Sequence, residues 1–258
     1  KRVIDECRRL AKEHKADIKT TELVGLLPRE ALVDLALETL TLENFDPEIQ
    51  VLERRLEAVG AVAGPIGWMR AAGVVTEALA NTDATPGGGS AAGIAGAMGC
   101  ALGRMAVGIS LKSKKLEAAK RPALEKALHD LGVRQAEFER LTIEDAAAFD
   151  SFMAAAGLPK EDPNRSARMQ QALRRAAEVP LETTRTASEA YALAQRAVPL
   201  CGRAVASDMN CALHLLRAAA LCAAENVRIN LGGIKDAAVA AGLLAQLDAA
   251  LKPLTAAA

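Results

Sequence analysis

The stretch TPGGGSAAGIAGAMGCALG, Thr85–Gly103, sets three adjacent glycines ahead of a run of small apolar residues. Gly93, Gly96, Gly99 and Gly103, with Ala92 and Ala95, recur every three or four residues, the period of one helix face. A helix so poor in side chains gains little from burying its own surface, so it needs another backbone packed close against it. The glycines in front read as a turn running into the helix N-terminus, with Ser90 as its cap. Exposed backbone amides at such an end can hold an anion or the polar edge of a ligand. A tight turn and close packing alone account for the same residues.

Two nucleotide motifs fail here. Gly87-x-Gly89-x-x-Ala92 fits the loose dinucleotide pattern, which requires a preceding strand and an acid about 20 residues further on. What precedes is the helical stretch GWMRAAGVVTEALA, and the next acid after Asp83 is Glu117. No Gly-Lys-Ser/Thr follows either, which removes a Walker loop. Ala91–Leu111 has a single charge and the length of a membrane span. Arg104 past its midpoint, the low transfer energy of Gly and Ala and the lack of a second such segment argue instead for a helix buried in protein, with no membrane contact.

Composition agrees with a soluble helical protein. The 32 basic residues balance the 32 acidic ones, so no basic face for nucleic acid is announced. Aromatics are 2% of a chain dominated by Ala, Leu, Glu, Arg and Lys, which favours helices over sheets. Cys7, Cys100, Cys201, Cys211 and Cys222 form no CxxC pair and read as reduced, mostly core thiols, which suits the cytoplasm. The chain starts with Lys and a charged amphipathic segment in place of a signal peptide, so it reads as a piece of a longer protein.

Along the chain, residues 1–14 are helical in pattern, with Val3, Ile4, Cys7, Leu10 and Ala11 on one face. ADIKTTELVGLLP reads as a short strand or extended turn. REALVDLALETLTL is helical again, with Ala31, Leu32, Leu35 and Leu42 as core candidates, and NFDPEIQVLERRLEA follows a turn. Residues 1–58 thus form a small α/β element, and AVAGPIG marks a boundary to a second domain, 59–258. From there only helices are predicted: 66–81, 90–111, 117–156, 166–198 interrupted at Pro180, 201–231 and 236–251. Long helices joined by short connections imply an antiparallel bundle, so the fold class is all-α with a small N-terminal α/β element.

Four separated motifs then point to a family: TPGGGSAAGIAGAMGCALGRM, LTIEDAAAFDSFMAAAGLPK, VPLETT and ASDMNCALHLLRAAALCAAENVRINLGGIKD. In order and spacing, over residues 66–240, they resemble the cyclodeaminase domain of formiminotransferase-cyclodeaminase and its methenyltetrahydrofolate cyclohydrolase relatives. TTELVGLLPREALVDLALETLTLENFDPEIQVLERRL resembles the C-terminal end of the formiminotransferase domain, whose catalytic histidine is not among these residues. The resemblance implies closure of 5-formiminotetrahydrofolate to 5,10-methenyltetrahydrofolate with loss of ammonia, in histidine breakdown, without formiminotransferase activity. Hydrolysis of methenyltetrahydrofolate and a non-catalytic folate-binding or oligomerisation bundle are the alternatives. It further implies a folate substrate, with or without a polyglutamate tail, no cofactor, no metal, and a homodimer or larger homo-oligomer.

The reaction needs a proton donor beside the reacting carbon. The acid of the family's DxxAF motif is Asp145 here, and its Leu141, Ile143 and AAAF surroundings would raise its pKa. The alternative is a solvated helix face shared with Glu144 and Asp150. Gly87, Gly88, Gly89 and Ser90 carry over as substrate contacts. Lys114, with Lys115, carries over as a contact to the glutamate tail or reacting nitrogen, or else is a solvated helix start. Ser207 and Asp208, Asn226 and Asn230 complete the substrate set; the four-residue spacing puts both amides on one helix face, matched to a pterin edge or to another helix. One departure is CGRAVASD, with Gly202 and Arg203 where the family tends to carry amides and where Arg203 suits a carboxylate.

Overall fold

The computed structural model describes residues 2–19, 29–40, 45–46, 50–51 and 65–255. They form eight α-helices: α1 (Arg2–Glu13), α2 (Arg29–Leu40), α3 (Pro65–Ala80), α4 (Gly88–Lys112), α5 (Arg121–Ala156), α6 (Arg165–Ala197), α7 (Ala206–Leu231) and α8 (Ala237–Thr255). Short 3-10 turns cover Ala118–Lys120, Val198–Leu200 and Arg203–Val205. No strand occurs among the described residues. Most of the predicted strand, residues 20–28, most of the helix expected after Asn44, and the boundary at 58/59 lie outside them.

The chain divides into two compact units, Lys1–Thr76 and Glu77–Ala258. In the first, Cys7, Leu10, Leu32 and Leu35 are exposed, not core as the helical pattern predicts. The amphipathic period was there, but the described residues do not cover it.

The second unit is the bundle. Glycines on α4 set how close its neighbours come. A Cβ at Gly93 would meet Thr142 Oγ1 at 2.1 Å, one at Gly96 the Phe138 ring at 2.3 Å and one at Gly103 Leu131 at 3.3 Å. Residue numbers thus rise on α4 as they fall on α5, so the two run antiparallel. Gly99 faces the other way, where its Cβ would come within 2.8 Å of Leu216 on α7. Phe138, Leu131 and Leu216 are fully buried in the resulting core. Helix α6 closes the bundle by packing on α5 and α7, and α8 buries Leu243, Leu247, Leu251 and Leu254 along its inner side.

Length and composition single out two helices as long and apolar enough to cross a membrane, residues 88–112 and 237–254, where the sequence pattern gave one. Helix α4 buries eleven residues between α5 and α7, and the leucines of α8 point into the same core. Of the cysteines, all free, Cys100 is buried and its thiol is pushed up to about 12 by burial. Cys7, Cys211 and Cys222 are exposed, which corrects the core reading for them.

Two boundaries also change. The helix predicted from Cys201 starts at Ala206, because residues 198–205 form the 3-10 turns of the connection. Helix α6 runs without interruption through the buried Pro180. Proline lacks the N–H that would bond the carbonyl four residues back, here that of Ala176. The Asn230 side chain on α7 supplies the donor, its Nδ2 giving a hydrogen bond to Ala176 O at 2.7 Å. The freed carbonyl is thereby satisfied and α6 is pinned to α7.

That pairing is testable by a double-mutant cycle. Asn230→Leu should destabilise the protein by about 1–3 kcal/mol in urea unfolding, the cost of an orphaned part-buried carbonyl. In a Pro180→Ala background, where the backbone N–H returns, the same substitution should cost distinctly less.

Candidate active site

The N-terminal end of α4 is assembled from three helices. The helix begins at Gly88, with Gly87 in extended conformation as its N-cap residue. Ser90 is therefore the third helical residue and not the cap that its side chain suggests. Its buried hydroxyl donates to Asp145 Oδ2 at 3.1 Å, and its backbone N–H is directed to the same carboxylate. The cap of α4 is thus lent by α5, because a glycine N-cap has no oxygen of its own to offer.

Only glycine admits this contact. A Cβ on Gly89 would lie 2.1 Å from Asp145 Oδ1, and one on Gly88 3.2 Å from Asn226 Nδ2. Gly88, Gly89, Ser90, Asp145 and Asn226 meet here, with Gly87 adjoining. Asn226 on α7 gives one N–H to Cys222 O at 2.9 Å, which leaves its carbonyl and second N–H for a ligand.

Asp145 differs from the acids beside it. Burial pushes its carboxyl above the usual aspartate range, opposed by the Ser90 hydroxyl and amide, and burial wins. Glu144, the preceding residue, instead faces two arginines: Arg140 and Arg175 bridge it to Glu182 on α6. Asp150 is exposed. One helix therefore carries a paired carboxylate for structure and a desolvated one at the glycine turn. Such a group can hold or release a proton nearer neutrality than an ordinary aspartate.

The remaining expected residues lie elsewhere. Lys114 is exposed in the turn after α4, Ser207 is exposed and Asp208 half-buried in the first turn of α7. Gly89 and Lys112 are 23 residues apart on α4, roughly 34 Å along its axis. Asp208 and Asn226 are 18 apart on α7, about 27 Å. One chain thus separates the expected set into two ends. Asn230 is occupied by Ala176, so it does not join Asn226 at the glycine turn. The i, i+4 spacing gave a shared face, but the Ala176 carbonyl that Pro180 leaves unpaired on a neighbouring helix claimed one of the two amides.

What the sequence did not disclose is that Ser90 serves Asp145, 55 residues away. The register of α4 against α5 sets that pair, and its only trace in the sequence is the glycine spacing.

A glycine-faced helix whose N-terminus is capped by a desolvated carboxylate, inside an antiparallel all-α bundle, is a narrow structural class. The chain belongs to the formiminotransferase-cyclodeaminase family, whose profile matches residues 72–249. A methenyltetrahydrofolate cyclohydrolase of Methylorubrum extorquens is 37% identical over 68% of this chain and 86% of its own length. A formimidoyltransferase-cyclodeaminase of Dictyostelium discoideum is 29% identical over 91% of this chain. The chain spans about half the length of that relative, 48%. The crystal structure of a formiminotetrahydrofolate cyclodeaminase from Thermotoga maritima superposes with a TM-score of 0.63 at 26% identity, over 69% of this chain and 86% of that one.

The tug on Asp145 gives a signed expectation. Removing the hydroxyl donor in Ser90→Ala should move the Asp145 titration midpoint further up, read by carboxyl carbon NMR. An unchanged or lower midpoint would show that the hydroxyl does not stabilise the carboxylate.

Proposed function

We propose that the chain is a formiminotetrahydrofolate cyclodeaminase in one-carbon metabolism, with Asp145 as its general acid. The observation that carries this is the desolvated carboxyl held at the glycine turn by Ser90. N10 of 5-formiminotetrahydrofolate attacks the formimino carbon, forming the C–N10 bond. Asp145 gives its proton to the formimino nitrogen, and the carboxylate so formed takes the proton that N10 loses. It passes that proton to the same nitrogen, which then leaves as ammonia as its bond to carbon breaks. The amides of Gly87–Gly89 and the free groups of Asn226 present donors and an acceptor to the polar edge of a pterin.

A second reading has equal support, because the 37% identical relative is a methenyltetrahydrofolate cyclohydrolase. There water attacks the methenyl carbon and Asp145 works first as base. Offering both substrates to the full chain decides between them: ammonia release from the formimino compound marks the deaminase, and loss of methenyl absorbance marks the hydrolase. The first outcome would fit a place in histidine breakdown.

The 1–58 segment fits a formiminotransferase remnant, a reading supported by matches to formimidoyltransferase-cyclodeaminases over 91% and 97% of this chain. The two separated ends also favour a homo-oligomer. An antiparallel second copy would bring its Lys114, Ser207 and Asp208 beside the Asp145 of the first. Met98, Met105 and Leu221, each about half exposed on α4 and α7, supply apolar surface for that pairing.

Two measurements check this reading. Asp145→Asn should lower kcat by about 10²–10⁴-fold. Its melting temperature at neutral pH should stay level or rise. The raised pKa of Asp145 makes a stability contribution that is present below its unfolded pKa and lost as pH climbs through the folded one, so a neutral isostere escapes that loss. Light scattering should give at least a dimer, broken together with turnover by Met105→Glu. An active wild-type monomer would refute the shared site.

A further inference from the structure

A cavity of about 600 Å³ lies between the last turns of α5 and the first turns of α6, with no residue of α4 or α7 in its lining. Ala154, Ala155, Leu158 and Ala172 form its apolar wall. Its polar side chains are Ser151, Arg168, Gln171 and Arg175, and none of them is an acid. Arg168, Gln171 and Arg175 follow one another at i, i+3 and i+7 on α6, so they stand in one row roughly 10 Å long.

That row has donors to spare. Arg175 gives one Nη to Glu182 at 3.0 Å and the other to Glu144, which leaves its Nε–H. The Arg168 guanidinium and the Gln171 amide have no partner among the described residues. The carbonyls around the end of α5 do not serve Arg168, because Arg165 covers two of them, its Nε donating to Leu158 O and an Nη to Ala156 O, both at 3.0 Å. Nor do the acids of the following loop. Asp162 accepts the Asn164 amide at 2.7 Å, and neither Asp162 nor Glu161 lines the space. Across the cavity Ser151 gives its O–H to Ala147 O at 2.8 Å, so its oxygen is left to accept.

We propose that this cavity binds a small molecule with a single oxyanion, a carboxylate or a phosphate, on a short apolar body. The planar Arg168 guanidinium grips the oxyanion in two places, and the Gln171 amide and the Arg175 Nε–H donate from the same row. A single oxyanion fits because Arg175 is already held by two glutamates, which leaves one unpaired cation. The small side chains of Ala154 and Ala172 leave room for the body, and the Ser151 oxygen takes a hydroxyl proton from it. At about 100° per residue, Ser151 and Ala154 stand roughly 120–180° around α5 from Asp145. The ligand is therefore separate from the molecule that meets the glycine turn, and the site stands whether or not Asp145 is a proton donor.

Lactate and inorganic phosphate stand for the two sources of the oxyanion. NMR of the arginine Nε–Hε groups in the full chain, titrated with each at constant ionic strength, reads Arg168 and Arg175 directly. Saturable shifts of both signals with lactate alone assign a carboxylate site; comparable or tighter binding of phosphate assigns a phosphate site. In both cases Arg168→Gln, followed through the Arg175 signal, should weaken binding roughly tenfold, and Gln171→Leu about threefold. Asp145→Asn should leave the affinity unchanged, which separates this site from the catalytic reading. Arg168 and Gln171 are exposed, so melting curves of their variants should match the parent and exclude misfolding. Shifts that never saturate, or that equimolar chloride reproduces, mark an adventitious ion only and overturn the proposal, as does an Arg168→Gln protein that binds as tightly as the parent.

Discussion

The bundle depends on how closely α4 lets other chains approach its backbone. Along one side of that helix, positions 89, 93 and 96 each meet an atom of α5 that a Cβ would strike, and position 99 does the same toward α7. Interiors are packed to crystal-like density, so this distance cannot relax at one position without moving the others. It seats Phe138 in the core, sets the antiparallel register and brings the Asp145 carboxylate onto the start of α4. Packing and candidate chemistry therefore rest on the same row of missing side chains.

Two exchanges between helices show how the bundle tolerates locally poor choices. Helix α4 has no capping side chain of its own and borrows a carboxylate from α5. Helix α6 carries a proline in its middle and borrows an amide from α7. In each case a backbone group that its own helix leaves unpaired is satisfied from a neighbour, which ties the pair together more specifically than apolar contact would. The carboxylate that caps α4 is half-buried, so it is held where its charged form is disfavoured. Stability at neutral pH is lowered there in return for a carboxyl that holds its proton above the usual aspartate range.

The charge arrangement separates structure from ligand by the same logic. On α5 and α6, Arg140 and Arg175 share Glu137, Glu144 and Glu182 in a closed network that locks the two helices. Beside that network, Arg168 and Gln171 instead face a cavity that no acid lines. Charges that satisfy each other hold elements in place, whereas charges of one sign around a concavity leave the attraction for something else.

By itself the sequence determined the all-α class, the limits of most helices to within a few residues and the family, because helical period, breakers and motif spacing are local properties of the chain. It also marked Asp145 and the glycine turn, through the family motifs that they match. Tertiary structure alone decided that Ser90 serves Asp145 and not its own helix, that Asn226 sits at the glycine turn while Asn230 is spent on the Ala176 carbonyl that Pro180 leaves unpaired, and that the expected substrate residues lie at two ends of the bundle. Each of these turns on which atom of a distant segment lies within about 3 Å, the range of a hydrogen bond. That is set by helix register and packing, which one face pattern fits in several ways.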